Sequence, residues 1–422
     1  MALRALPPFK GAFLMTTEDR DLRTGRTYWQ SRPMPAVPHR PLTRDVKADV
    51  LVVGAGISGA LVAEALSDHH RVIVVDKRGP VMGSTPASTA LVEYEIDTPL
   101  IDLSKQIGRV KAERAWRRSH LALHALAART RALGIAADTR RTDNLYLAGS
   151  LLDADGIAAE AQARRQAGIE TLFLDRRTLA DRFGIKRPAA LLAFDDLALD
   201  PRRLTSGFLN AAIERGTRVY APTEITDVES GSDGVTATTA NGRTIRAGAI
   251  VFATGYELPR YVPKRRHQVM STYAIATVRQ KQKPLPEDCF IWEASDPYLY
   301  LRSTPDGRVI CGGEDEEFSD DEARDALIPQ KTEAIRRKLG KMLPHIDTTP
   351  DFAWAGAFGS TPTGLPSIGA VPGLKNAWAV LGFGGNGITY SRIAADIINA
   401  ALSGKSDPDA DLYAFARTRA VR

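Results

Sequence analysis

Four short apolar runs without alternation punctuate the chain: Val50-Leu51-Val52-Val53, Val72-Ile73-Val74-Val75, Ala249-Ile250-Val251-Phe252-Ala253 and Ala377-Trp378-Ala379-Val380-Leu381. Such runs are the pattern of strands buried on both faces. The first two flank the helix-forming stretch Ala60-Leu61-Val62-Ala63-Glu64-Ala65-Leu66, which predicts a β–α–β unit, and the last leads through a Gly-rich turn into a helix over 390–402. Elsewhere the period changes. Segments at 218–220, 224–229, 235–238 and 244–246, separated by Gly and Asn-Gly turns, predict a meander. A second antiparallel set is expected at 273–277, 298–302 and 308–310, with a short strand at 144–147. Helical spacing over 102–133 uses Ile107, Val110, Leu121, Leu126 and Leu133, with Gly134 as the stop. Further helices are expected at 153–166, at 329–339, and from Asp200-Pro201, a cap followed by a first-turn proline, to about 215.

At 422 residues the chain is too long for one simple core. The elements predict two interleaved units: a nucleotide-binding part at 48–100, 199–265 and 350–405, and a substrate part at 101–198 and 266–349. An arm at 1–47, with Tyr28-Trp29 as anchors, and a tail at 406–422 flank them. The acidic run Glu314-Asp315-Glu316-Glu317 is expected to be a solvated turn.

A net charge of +6 raises the question of nucleic acid, but the basic residues fall in scattered pairs such as Arg117-Arg118 and Arg336-Arg337, with no aromatic-interleaved stripe. Two cysteines, Cys289 and Cys311, form no CxxC pair or disulfide framework. His120 and His124 share a helix face at i, i+4 without a metal motif around them, so no metal is expected. Without a signal-peptide pattern or an apolar run of spanning length, the expectation is a cytoplasmic protein with no integral membrane segment. Nothing in the chain sets the oligomeric state.

The chemistry starts at Gly54-Ala55-Gly56-Ile57-Ser58-Gly59, between the first strand and its helix. Gly54 allows the tight turn, Gly56 lets backbone approach a pyrophosphate, and Gly59 permits close helix–strand packing. Phosphates would sit at the helix N-terminus, and Asp76 follows about 20 residues on, where a ribose-binding acid belongs. A dinucleotide is implied. The loop Ser84-Thr85-Pro86-Ala87-Ser88-Thr89-Ala90 offers hydroxyls and small side chains to the same ligand. A second strand–glycine turn–helix, Gly384-Gly385-Asn386-Gly387-Ile388, supplies another positive helix end, which suits the negative charge of a reduced flavin.

Together with Trp354-Ala355-Gly356 and the segment from Thr363 to Gly369, these pieces resemble the D-amino-acid oxidase superfamily of FAD enzymes, on the side of glycine and sarcosine oxidases. The resemblance spans about 48–402 and is weakest in the helical insert. It implies an α/β fold, α+β overall, with a glutathione-reductase-type Rossmann-like FAD domain interleaved with a substrate domain on a mixed antiparallel sheet. By matching position, Gly54, Gly56, Ile57, Ser58, Gly59, Asp76 and Lys77 would serve the ADP half. Ser84, Thr85, Ser88, Thr89 and Ala90 would serve the pyrophosphate and ring edge, Ile225 the adenine, Ala253, Thr254 and Gly255 the neighbouring strand end, and Gly384 to Ile388 the flavin carbonyl edge. The implied reaction is hydride loss from the α-carbon of an amine or amino acid to flavin N5, with hydrolysis of the imine and oxygen or a quinone as final acceptor. No cysteine in the tail element matches a flavin attachment point, so dissociable FAD is expected.

The family's carboxylate-binding arginine after Trp-Ala-Gly is missing; Ala357-Phe358-Gly359 stands there. Arg302 is the candidate replacement, because strand alternation puts Tyr298, Tyr300 and Arg302 on one face. Phe358, Phe383 and Trp354 would complete an apolar wall suited to a secondary or bulkier amine. Two rival readings stay open: a nicotinamide-dependent dehydrogenase using only the first glycine loop, and an electron-carrying flavoprotein subunit without catalysis of its own.

Overall fold

A computed structural model describes residues 17, 19–263 and 267–415. Of the expected arm and tail, residues 1–16, 18 and 416–422 lie outside the described residues.

The buried runs assemble as their pattern demands. Val46–Val53 lies at the centre of one sheet, with Val72–Val75 and Arg218–Tyr220 on one side and Thr244–Phe252 and Ala377–Leu381 on the other, all parallel. Ser367–Ala370 adds an antiparallel edge. Strand order therefore reverses at Val46–Val53, and a ligand crevice is expected beyond its C-terminal end. Helices Ile57–Leu66 and Gly387–Leu402 pack on this sheet and on each other, with Ser58 and Ser391 hydroxyls 2.8 Å apart, and Pro201–Glu214 packs on Ile57–Leu66.

Two expectations change here. Arg218–Tyr220 belongs to the parallel sheet, not the meander, because it pairs with Val72–Val75. The segments expected at 244–246 and 249–253 are one strand, Thr244–Phe252. Its first half pairs with Gly234–Thr239, while Val46–Val53 runs beside most of its length.

The second sheet has ten strands among the described residues. Its path runs Arg23–Gly25, Pro350–Ser360, Gln268–Thr277, Val309–Glu316, Leu299–Ser303, Phe290–Glu293, Arg140–Leu147, Ala189–Ala198, Leu91–Val92, with Thr171–Asp175 alongside. Pro350–Ser360 lies in this sheet although the expected boundary at 350 groups it with the nucleotide part. The helical insert is Leu100–Ile107, Arg109–Ala132 and Ala154–Gln166, split at Gly108, which adopts φ +85°. Val110 and Leu121 are 71% and 62% exposed, so they do not belong to the apolar stripe that Leu126 joins.

The insert is fastened by a buried ion cluster. Arg164, fully buried, donates Nε to Glu160 at 2.8 Å, contacts Glu95 at 3.4 Å and stacks over Trp116. Glu160 in turn accepts the Leu100 and Ile101 N–H groups at 2.9 and 3.0 Å, capping that helix. Removing a buried ion-pair partner leaves an uncompensated charge. Arg164→Met should therefore lose about 3–5 kcal/mol of stability, read as a lower urea midpoint at unchanged slope.

Candidate functional site

A deep cavity opens between the two sheets at the C-terminal end of Val46–Val53 and runs from Glu224 and Ile225, past the first glycine loop, to the turn before the last helix. At the loop, a Cβ on Gly54 would lie 2.3 Å from the Ala253 carbonyl oxygen and one on Gly59 only 1.8 Å from the Gly54 carbonyl oxygen. Gly54 also has φ +112°. These are the close packings the fingerprint requires. Gly56 differs: its nearest neighbour would be the Thr85 hydroxyl at 3.3 Å, so its missing side chain leaves room on the cavity side. Asp76 ties the loop down, accepting the Ala55 N–H at 2.8 Å and the Arg78 and Gly79 N–H groups at 2.9 Å.

The Ser/Thr loop is suspended from above. The Trp354 indole donates to the Ala87 carbonyl at 2.9 Å, the Trp29 indole to Ser88 at 2.7 Å, and the Arg302 guanidinium to Ala90 at 2.5 Å. Thr85 Oγ1 accepts the Ile57 N–H at 3.2 Å, joining loop to helix start. Ser84, Thr85, Ser88 and Thr89 thereby line the cavity. Lys77 and Arg78 also line it, but both are held by Glu257, at 2.9 and 2.6 Å. Burial pulls the Lys77 ammonium down, and the Asp19 and Glu257 carboxylates outweigh it, leaving its pKa raised.

At the far end the walls are aromatic: Tyr146 stacked on Trp292 at 3.9 Å, Tyr298 beside Tyr300 at 5.6 Å, and Tyr256 edge-on to Phe383 at 6.2 Å, with Phe358 also on the wall. Asp315 lines this chamber and accepts the Tyr298 hydroxyl at 3.1 Å. Asp97 accepts the Gly385 N–H at 2.8 Å, and a Cβ on Gly384 or Gly385 would strike its carboxylate. Burial pushes the Asp97 carboxyl up to about 6, with Gly385 opposing and Asp315 adding. Glu93, also on the wall, is raised well above its ordinary value by burial and by Glu95.

The structure brings together nearly all the residues singled out from the sequence: Gly54, Gly56, Ile57, Ser58, Asp76, Lys77, Ser84, Thr85, Ser88, Thr89, Ile225, 253–255, 384–388, Tyr298, Tyr300, Phe358 and Phe383 all line the cavity. Gly59 and Ala90 do not; they act in packing and in accepting Arg302. Arg302 is itself a correction. It is 2% exposed, donates to the carbonyls of Ala90, Leu199 and Ser303, and lies over Trp29 and Phe290, outside the cavity wall. Trp354 likewise holds the loop and does not line the wall. The acidic run is a correction too, since Glu314 and Asp315 end the strand Val309–Glu316, with Glu314 buried and Asp315 in the chamber. Sequence reasoning missed Glu93, Asp97, Tyr146, Tyr256, Trp292 and Asp315. The one available signal was the alternation Glu93, Glu95, Asp97, just past the Ser/Thr loop. His120 and His124 bring Nε2 atoms to 3.2 Å, near Asp195. Arg141 donates to both His124 and Asp195, so a cation already sits against that cluster.

Comparison with known proteins decides the family. The model of the FAD-dependent oxidoreductase family DAO matches residues 49–401. The chain belongs to that family. It is 22% identical to the probable oxidoreductase OrdL of Haemophilus influenzae, over 87% of this chain and 85% of that protein. Glycine oxidase of Geobacillus kaustophilus is 24% identical over 88% and 97%. The crystal structure of that glycine oxidase superposes with TM-score 0.73 at 20% identity, over 88% of this chain and 99% of that one. L-proline dehydrogenase from P. horikoshii gives 0.72 at 18%, over 88% and 97%. The protein is thus an FAD-dependent oxidoreductase of the mixed α/β fold expected. The cavity fits the cofactor: the space above Gly56 and the hydroxyl-lined loop would take the pyrophosphate, and the Gly384–Asn386 turn would face the flavin.

If Arg302 holds the loop, Arg302→Leu frees three carbonyls, at about 1.5–3 kcal/mol per charged hydrogen bond lost. The purified variant should retain less FAD, and once FAD is saturating its KM for substrate should match that of the parent. A raised KM at full FAD occupancy would instead return Arg302 to substrate binding.

Proposed function

We propose that this cavity oxidises the C–N bond of a small amine or amino acid. The observation that carries the reading is continuity: one cavity joins the glycine fingerprint and hydroxyl loop to a chamber walled by Tyr146, Tyr256, Trp292, Tyr298, Tyr300, Phe358 and Phe383. A bound flavin supplies the hydride acceptor. The chain does the rest. Gly54, Gly56, Ser58, Asp76, Ser84 and Thr85 hold the nucleotide; Gly384, Gly385, Asn386, Gly387 and Ile388 present the start of the last helix; and the aromatic walls orient the amine and keep water away from the carbon that loses hydride. The amine must be neutral at the nitrogen that forms the C=N bond, and water then hydrolyses the imine to a carbonyl compound.

The flavin is held without a covalent bond in this reading. Cys311 lies in the strand Val309–Glu316 and Cys289 just before Phe290–Glu293; both are buried and neither lines the cavity wall. Oxygen or a quinone reoxidises it, and the protein works in the cytoplasm. No helix among the described residues is long and apolar enough to cross a membrane.

The test is an anaerobic absorbance titration with a panel of amines and amino acids. Flavin bands should bleach with one class of substrate and return on admitting the acceptor. Acid precipitation should leave the yellow colour in the supernatant. Bands that no amine or amino acid bleaches would overturn the reaction, and colour retained on the precipitate would overturn dissociable binding.

A further inference from the structure

We propose that the amine oxidised here carries a second ammonium group, as a diamine or polyamine does, and that Asp315 and Asp97 hold that second charge. The inference rests on the cavity being the site of amine oxidation and states what the amine must look like.

The charge on the chamber wall points one way. Asp315 reaches it from the end of Val309–Glu316 and Asp97 from the segment before Leu100–Ile107. One Asp315 oxygen accepts the Tyr298 hydroxyl at 3.1 Å, and the Thr272 hydroxyl is its other near donor; neither brings a positive charge. The Lys331 ammonium within range of Asp315 is committed to Glu316 at 2.6 Å. A carboxylate taken out of water without a cation of its own is costly until one reaches it. Desolvation by the surrounding atoms raises both acids, although the Asp97 side chain itself stays open to the cavity, and Asp315 adds to the Asp97 shift. A cation in the chamber offsets that cost for the acids on its wall.

An ammonium matches this demand. It has three N–H donors and no acceptor, so it matches a wall that presents the Asp97 and Asp315 carboxylates. The Tyr298 and Tyr300 rings, 5.6 Å apart, offer aromatic surface to the methylene stem and to the charge. An α-carboxylate meets the reverse field. Arg302 is occupied by backbone carbonyls, and Lys77 and Arg78 are paired with Glu257 at the nucleotide end. A substrate carboxylate beside Asp97 and Asp315 is repelled, which selects against amino acids.

The chemistry balances with one nitrogen neutral and one charged. The C–H bond beside the neutral nitrogen breaks with its electron pair going to the bound flavin, and the C–N bond becomes C=N. The second nitrogen keeps its proton and its carboxylate partners throughout. Water adds to the imine and releases a carbonyl compound, with the oxidised nitrogen leaving as ammonia from a primary amine or as an amine from a secondary one.

The test uses the full-length FAD-loaded enzyme without oxygen, following flavin absorbance. 1,4-Diaminobutane and spermidine are compared with butylamine, which has the same carbon chain as the former and one charge fewer, and with glycine, sarcosine and proline. The diamines should bleach the flavin at concentrations roughly 30-fold or more below butylamine, the scale of a buried charge pair. In Asp315→Asn that preference should collapse to about 3-fold or less, and Asp97→Asn, measured alongside in case the first variant does not fold, should reduce it as well. Bleaching by amino acids and not by diamines overturns this inference while leaving amine oxidation standing. A diamine preference that survives both substitutions overturns the assignment of these two carboxylates. Failure of every amine and amino acid overturns the inference together with the reading beneath it.

Discussion

The contact on which the site depends is between two backbones, where the Gly59 α-carbon sits so near the Gly54 carbonyl that an added Cβ would lie 1.8 Å from its oxygen. This closeness drives the helix Ile57–Leu66 against the strand that precedes it and aims its N-terminal N–H groups into the crevice. Gly54 is hemmed in on its other side by the Ala253 carbonyl, so strand Thr244–Phe252, nearly 200 residues later, is fixed by the same turn. Asp76 then closes the loop through three backbone N–H groups. The carboxylate that the fingerprint reserves for ribose is thus also the bracket of the turn. Its orientation is set before any ligand arrives, which is what preorganisation requires.

The second constraint explains why the chain is interleaved. The loop at 84–90 has few partners of its own kind, so its carbonyls are taken by side chains from three distant places: Trp29, Trp354 and Arg302. Each of these is deeply buried. Arm and second sheet therefore meet at a loop that follows the first sheet's strand Val72–Val75, and the nucleotide part cannot be finished without strands of the other sheet. A guanidinium spent on three carbonyls is no longer free for a ligand, which is why the chamber's charge is left to its carboxylates.

What could be read from the chain follows from the range of the determinants. The glycine fingerprint, the Asp200-Pro201 helix start and the Gly-rich tail turn are specified within a few residues, and the structure shows each of them. Asp200 accepts the Arg202 and Arg203 N–H groups as a cap should. The missed residues depend on pairing across long separations. Asp315 reads as one acid among several until Val309–Glu316 pairs with Leu299–Ser303 and Gln268–Thr277, which turns it towards Tyr298. Alternation rightly groups Tyr298, Tyr300 and Arg302, yet cannot say where along that face the cavity ends; Trp29 and Leu199, remote in sequence, cover Arg302. Val110 and Leu121 show the same limit for a helix, since an apolar residue at roughly helical spacing still needs a neighbour to bury it.

The two ends of the cavity also differ in how their charges are balanced. At the nucleotide end Lys77 and Arg78 are neutralised by Glu257, with Asp19 beyond, so the attraction for phosphate comes from helix N–H groups and hydroxyls more than from side-chain cations. At the chamber end Asp97 and Asp315 have hydrogen bonds from Gly385 and Tyr298 but no opposite charge of their own. Desolvation then works in opposite senses along one cavity. It strengthens the dipolar hold on an anion where the helix begins, and it leaves carboxylates short of a cation where the aromatic walls close. An anionic ligand thus meets open N–H groups at one end of the cavity, and a cationic substrate meets carboxylates without a paired cation at the other.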